Sequence, residues 1–225
     1  MVLVLTNDDG IDAPGIRALW NAVGQEGIVV APADHQSGCG HQVTTTRSIS
    51  VEQRADREFA IGGTPADCVR VALSHLVPTV DFVLSGINEG GNLGVDVYIS
   101  GTVAAVREAA FHRIPAIAVS HYKQRGRSID WSRATRMTTM VLDKLRSLPL
   151  EPGNFWNVNL PHPSVNDPDP AIVFCPPCTQ PLPVDYVVEA EGLRYVGKYP
   201  DRPRDPGADV EQCFAGYITI TQLRV

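Results

Sequence analysis

Short apolar runs alternate with amphipathic stretches through the first two thirds of the chain. Val2 to Leu5 has the length and composition of a strand buried on both faces. Asp12 then stands as a cap before Pro14 in a first helical turn, and Ile16, Leu19, Trp20 and Val23 recur on one helical face. Ile28 to Ala31 predicts a second buried strand, and RSISVEQ and REFAIGG alternate as two strands of an edge hairpin. Thr64-Pro65-Ala66-Asp67 has the form of a capping box with proline at the first helical position, with Val69, Ala72, Leu73 and Leu76 continuing the stripe. Val80 to Leu84 predicts a strand that ends in the polar segment SGINEGGNLGVDVYISGT. From Thr102 a helix, TVAAVREAAFHR, stops before Pro115, and PAIAVS predicts another buried strand. Asp130 caps a helix through Leu148, with Ala134, Thr138, Val141, Leu142, Leu145 and Leu148 facing inward.

This alternation implies an α/β fold: a Rossmann-like parallel sheet with helices on both faces, formed by residues 1–150. Beyond it the pattern changes. NFWNVNLP, VDYVVEA, LRYVG and GYITITQL predict strands without intervening helices, separated by the proline-rich PHPSVNDPDP. Residues 151–225 are therefore expected to form a smaller β-rich extension packed on the body, within one structural domain.

At 225 residues, 44% hydrophobic and 20% charged, the chain has the composition of a folded globular protein and not of a disordered one. No run approaches the roughly 18 to 20 apolar residues that cross a bilayer, and MVLVLTNDDG lacks the basic segment of a signal peptide, so a cytoplasmic protein without a membrane partner is expected. The net charge of −6, from 19 basic and 25 acidic residues, disfavours binding a nucleic acid polymer. Five cysteines are too sparse for a disulfide framework. Cys175-Pro-Pro-Cys178 has the spacing of zinc or redox pairs, but no second pair completes a zinc site and two prolines do not open a helix.

In an open parallel sheet, loops at the carboxyl ends of neighbouring strands face one crevice. TNDDG, APADHQSGCGH and the long glycine-rich segment all follow predicted strands. Asp8 and Asp9 are adjacent carboxylates that either sit exposed on an ordinary turn or share a cation. The Ser37 hydroxyl and the Asn88 carbonyl are hard oxygen donors, suited to Mg²⁺ or Mn²⁺. Ser100-Gly101-Thr102 leads into a helix N-terminus, which both capping and phosphate binding would use. His35 and His41 are either loop residues or groups that reach a phosphate, and His75 reads as a surface residue near a helix end. The motifs G-x-G-x-x-G, G-x-S-x-G and H-E-x-x-H are absent, which leaves hydride transfer, serine acyl transfer and zinc proteolysis without support.

TNDDGIDAPGIRAL, the APxxxQSGCGH loop at 31–41, GGTPADCV at 62–69, SGINEGGNLGVDVYISGTVAAVREA at 85–109 and GYITITQL at 216–223 together resemble the SurE survival proteins, metal-dependent 5'-nucleotidases. The resemblance implies one divalent metal ion per subunit on Asp8, Asp9, Ser37 and Asn88, with the two aspartates as the catalytic pair. It implies phosphate contacts at Asn92, Ser100, Gly101 and Thr102. It further implies nucleoside 5'-monophosphates as substrates, with 3'-monophosphates and short polyphosphate beside them, hydrolysed by a metal-activated water or through an aspartyl-phosphate. A homodimer or homotetramer is implied, partly by exchange of C-terminal elements, with residues 151–225 involved. Three features depart from the pattern: Ala33-Asp34-His35 where the family often has Asp-Arg-Asn, Val95 at a commonly acidic position, and an end at Val225 soon after the closing strand. Two alternatives from other classes are a non-catalytic nucleotide- or phosphate-binding regulator using the same crevice, and a thiol oxidoreductase using Cys175 and Cys178.

Overall fold

The computed structural model describes residues 1–145 and 147–225. The first apolar run forms β1 (Leu3–Thr6), and α1 (Pro14–Ala22) returns the chain to β2 (Ile28–Pro32). Asp12 does not cap α1. The cap position is Ala13, without a side-chain bond, because a turn at Gly10 already engages the Ala13 N–H at 3.1 Å and Pro14 needs no acceptor. The hairpin β3 (Val51–Ala55) and β4 (Glu58–Ile61) lies at the sheet edge, as its alternation predicts. The capping box is formed: Thr64 and Asp67 exchange bonds at the start of α2 (Pro65–Val71), which runs on into a π-helical turn over Ala72–Leu76.

β5 (Phe82–Glu89) is longer than its apolar core predicts. Ser85 to Glu89 belong to the strand and not to the following loop, and the register with its neighbour shifts between Ser85 and Asn88. Across this shift the ladder continues, with Ser85, Asn88 and Glu89 opposite Ala118, Ser120 and His121 of the next strand, although Ser85 is itself fully buried. A 3₁₀ turn (Gly94–Tyr98) leads to α3 (Gly101–Phe111), β6 (Ala116–His121), α4 (Trp131–Leu145) and β7 (Asn154–Leu160). Asp130 caps α4, accepting from the Arg133 N–H at 3.0 Å. The helix is described to Leu145, short of the expected Leu148. Arg146 lies outside the described residues, and Leu148 is exposed where the chain turns towards β7.

The remainder comprises β8 (Ile172–Phe174), β9 (Tyr186–Glu189), β10 (Gly192–Tyr195), α5 (Asp209–Phe214) and β11 (Ile218–Arg224). The expectation of strands without intervening helices is corrected by α5. Its six residues are too few to display a helical stripe, and it forms by docking Val210 and Cys213 beside Leu93 and Cys178. The main sheet runs β3-β4-β2-β1-β5-β6-β7-β11-β8, with β9 and β10 as a separate antiparallel pair. From β4 to β7 all neighbours are parallel, whereas β11 is antiparallel to β7.

Helices cover both faces. Leu3 and Leu5 share a core with Ile16 and Leu19 of α1 and Met137 and Val141 of α4. Val4 points the other way, into a core with Val69 of α2 and Val103 and Val106 of α3. Burial on both faces is why β1 is a continuous apolar run.

Candidate active site at the carboxyl edge of the sheet

Burial of β1 carries Asp8 out of the core at a point where its side chain is only 4% exposed. Three segments converge on this turn. From the loop after β2, the Gln36 N–H donates to the Asp8 carbonyl at 2.7 Å. From the end of β5, the Glu89 N–H donates to Asp9 Oδ2 at 3.1 Å. From α3, the Thr102 hydroxyl donates to Asp8 Oδ1. Gly101 is obligatory at this contact, because a Cβ there would lie 2.9 Å from the Asp8 Cβ and 3.1 Å from its Oδ2.

Burial pushes the Asp8 carboxyl up to about 6, a rise opposed by the Thr102 hydroxyl and reinforced by Asp9. Burial also raises Asp9, against the lowering bond from Glu89. A buried carboxylate with one side-chain donor is under-compensated at neutral pH. Asn88 spends its amide donor on the Gly90 carbonyl at 2.8 Å, which leaves Oδ1 as its remaining acceptor. Asp9, Ser37 and Glu89 line a crevice of about 540 Å³, together with His35 and Trp131. His35 Nδ1 lies 3.5 Å from Asp9 Oδ1. Asp8, Asp9, Ser37 and Asn88 are thus drawn to one end of the sheet by three separate chain segments.

The other predicted residues divide. Ser100 caps α3, its hydroxyl oxygen accepting from the Val103 N–H at 3.1 Å. The Thr102 hydroxyl is committed to Asp8, so that side chain serves the carboxylate. Asn92 is pinned from β6 and β7: its side-chain amide donates to the Ser120 hydroxyl at 2.7 Å, and its backbone carbonyl accepts from the Asn157 and Asn159 side chains at 2.8 and 3.0 Å. His41 pairs with Glu108 at 2.9 Å and stacks on Phe111, whereas His35 faces Asp9. Cys175 and Cys178 are free thiols, and burial pushes Cys175 up to about 11, the opposite of an activated thiolate.

A family model described as "Survival protein SurE" matches residues 3–180. The chain belongs to the SurE family. A protein of Nostoc sp. is 60% identical over 226 residues, covering all of both chains. The 5'-nucleotidase SurE of Nitratidesulfovibrio vulgaris is 37% identical, over 100% of this chain and 87% of its own. The crystal structure of the SurE protein from Aquifex aeolicus superposes with a TM-score of 0.85 at 28% identity, over 100% of this chain and 93% of its own.

Sequence reasoning missed other residues at this end of the sheet. Asn157 and Asn159 alternate in NFWNVNLP, which places both on one face near the carboxyl end of a strand, a signal for a shared polar task. Glu89 and Trp131 line the crevice without any motif to mark them.

Proposed function

We propose that this SurE-family chain is a metal-dependent 5'-nucleotidase that hydrolyses nucleoside monophosphates to nucleoside and phosphate, with Asp8, Asp9, Ser37 and Asn88 holding one divalent cation, Mg²⁺ or Mn²⁺. The observation that carries this reading is Asp8: a buried carboxylate, raised to about 6 and given one side-chain donor, beside the N-terminus of an eleven-residue helix. The donor set fits a hard cation. Among the described residues no group of three or more His, Cys, Asp or Glu side chains is placed to hold an ion, so a cation here draws on neutral oxygens such as Ser37 and the free Asn88 Oδ1. A divalent cation bound there supplies charge against phosphate oxygens and a lowered pKa for an attacking water.

The chain's own groups do the rest. Thr102 fixes the rotamer of Asp8, and Gly101 lets the α3 N-terminus approach it. The first-turn N–H groups of Gly101 and Thr102 have no acceptor within the helix and offer themselves to phosphate oxygens. The Ser100 hydroxyl proton remains available, since its oxygen accepts the capping bond. Asn92, held by Asn157, Asn159 and Ser120, is the further phosphate contact proposed. These preorganised donors stabilise charge as it spreads over the transferred group.

Phosphate release from 5'- and 3'-monophosphates and short polyphosphate, with and without a chelator, tests the reading. Release that stops on chelation and returns with Mg²⁺ or Mn²⁺ supports it, and binding without release would leave the regulator in its place. We further propose a cytoplasmic homodimer or homotetramer, with residues 151–225 serving assembly. Support comes from β9 and β10, whose cross-strand pair Val188 and Leu193 is 85% and 68% exposed.

A further inference from the structure

The crevice beside Asp9 is larger and more asymmetric than a phosphate requires. Its volume of about 540 Å³ falls within the roughly 300 to 1,000 Å³ of small-molecule sites. Its wall combines the polar Asp9 and Ser37 with Trp131, Pro14 and Gly15.

Trp131 is rigidly seated. It is the first residue of α4, a helix start fixed by bonds from Arg133 and Ala134 to Asp130 at 3.0 and 2.9 Å. The edge of its indole passes so close to Gly15 that a Cβ there would lie 3.3 Å from Cη2, and the same Cβ would meet the Ile87 carbonyl at 1.9 Å. The ring thus leaves the start of α4 and lies against Gly15 at the start of α1, half-buried and lining the crevice. Glu89, whose N–H bonds Asp9, carries an ion pair to Lys123 and adds a second carboxylate to the wall. A phosphate is favoured at the cation proposed on Asp9 and Ser37 and beside the α3 N-terminus, which leaves the indole wall to the uncharged part of a substrate.

We propose that Trp131 is the specificity-determining residue of a nucleoside subsite: its exposed face stacks on the base of a nucleoside monophosphate whose phosphate lies at Asp9 and Ser37. The inference rests on the nucleotidase reading. Stacking on an aromatic face is tolerant of base identity, so the subsite distinguishes nucleotides from sugar phosphates more than one base from another.

The test compares wild type, Trp131→Phe and Trp131→Ala on AMP and ribose 5-phosphate with Mn²⁺ present. The quantity read is the ratio of kcat/KM for the two substrates. Removing the ring should lower this ratio about tenfold, while Trp131→Phe should hold it within about threefold of wild type. A ratio unchanged in Trp131→Ala, even if both activities fall together, overturns the subsite and leaves Trp131 a packing residue on Gly15. If wild type hydrolyses neither compound, the nucleotidase reading fails by itself. The subsite is then decided by calorimetric binding of AMP and ribose 5-phosphate to the same three proteins: a tenfold fall in the affinity ratio supports it, and an unchanged ratio overturns it.

Discussion

Two aspartates, Asp8 after β1 and Asp67 in the first turn of α2, are both buried, and the two side chains are treated in opposite ways. Asp67, 1% exposed at the head of α2, accepts from the Thr44 N–H and hydroxyl at 2.8 and 2.7 Å and from the Thr64 N–H at 3.0 Å. Burial alone would raise it, but these bonds from Thr44 and Thr64 outweigh burial and hold it below the ordinary carboxylate range. Asp8 receives a single side-chain donor, and burial wins. Asp67 is finished by the chain itself, whereas Asp8 is left wanting positive charge. Structure is stabilised where the polar group is saturated, and chemistry is available where it is not.

The comparison breaks most sharply on exchange of each aspartate for asparagine. Asp8→Asn should cost about 3 to 5 kcal/mol of transition-state stabilisation, two to four orders of magnitude in kcat/KM, while in the presence of a chelator the protein unfolds no more easily than wild type. Near-normal turnover would remove Asp8 from the cation site. Thr102→Val deletes the side-chain donor to that carboxylate and should cost about 2 kcal/mol in kcat/KM, close to thirtyfold, without loss of α3 helicity by circular dichroism. An unaffected rate would show that the Asp8 rotamer needs no support.

Asp67→Asn should behave inversely, losing about 1 to 2 kcal/mol in denaturant unfolding and keeping turnover. Its pH dependence follows from the lowered folded pKa. The stability Asp67 supplies is complete above its unfolded value of about 3.9 and is lost as pH falls through the lower folded value. Comparing wild type and Asp67→Asn between pH 5 and about 2 should therefore show the wild-type advantage shrinking with acid, and a constant gap would contradict the assignment. The smallest effect on the single chain is expected at the hairpin. Replacing Val188 and Leu193 by serine should change unfolding free energy by no more than about 0.5 kcal/mol, yet shift the mass seen by light scattering towards the monomer. An assembly of unchanged mass would free the hairpin of that role.

Much of the body was legible because β1, β2 and β6 hold short apolar runs and each helix carries its own stripe or cap. The Thr64 capping box and the Asp130 cap formed as their residues dictate, since such bonds close within a few residues. Asp8 and Asp9 were conspicuous because two adjacent carboxylates stand three residues past an apolar run, Val2 to Leu5. Less was visible where distant segments decide. Asn88 belongs to β5 and not to a loop, because the register break after Ser85 lets a polar stretch continue the ladder. α5 has no periodicity to read in six residues.

The amino-acid order by itself determined the strand and helix succession, the capping of α2 and α4, and the clustering of Asp, Asn, Ser and Gly after the strands, all through interactions that span a few residues. Only the folded chain decided that Thr102 bonds Asp8 across 94 positions, that Asn157 and Asn159 pin Asn92, and that β11 enters between β7 and β8. It also decided that Trp131 walls the crevice beside Asp9. Such partners are chosen by how the sheet and its helices pack, and packing depends on contacts between remote segments that no local pattern encodes.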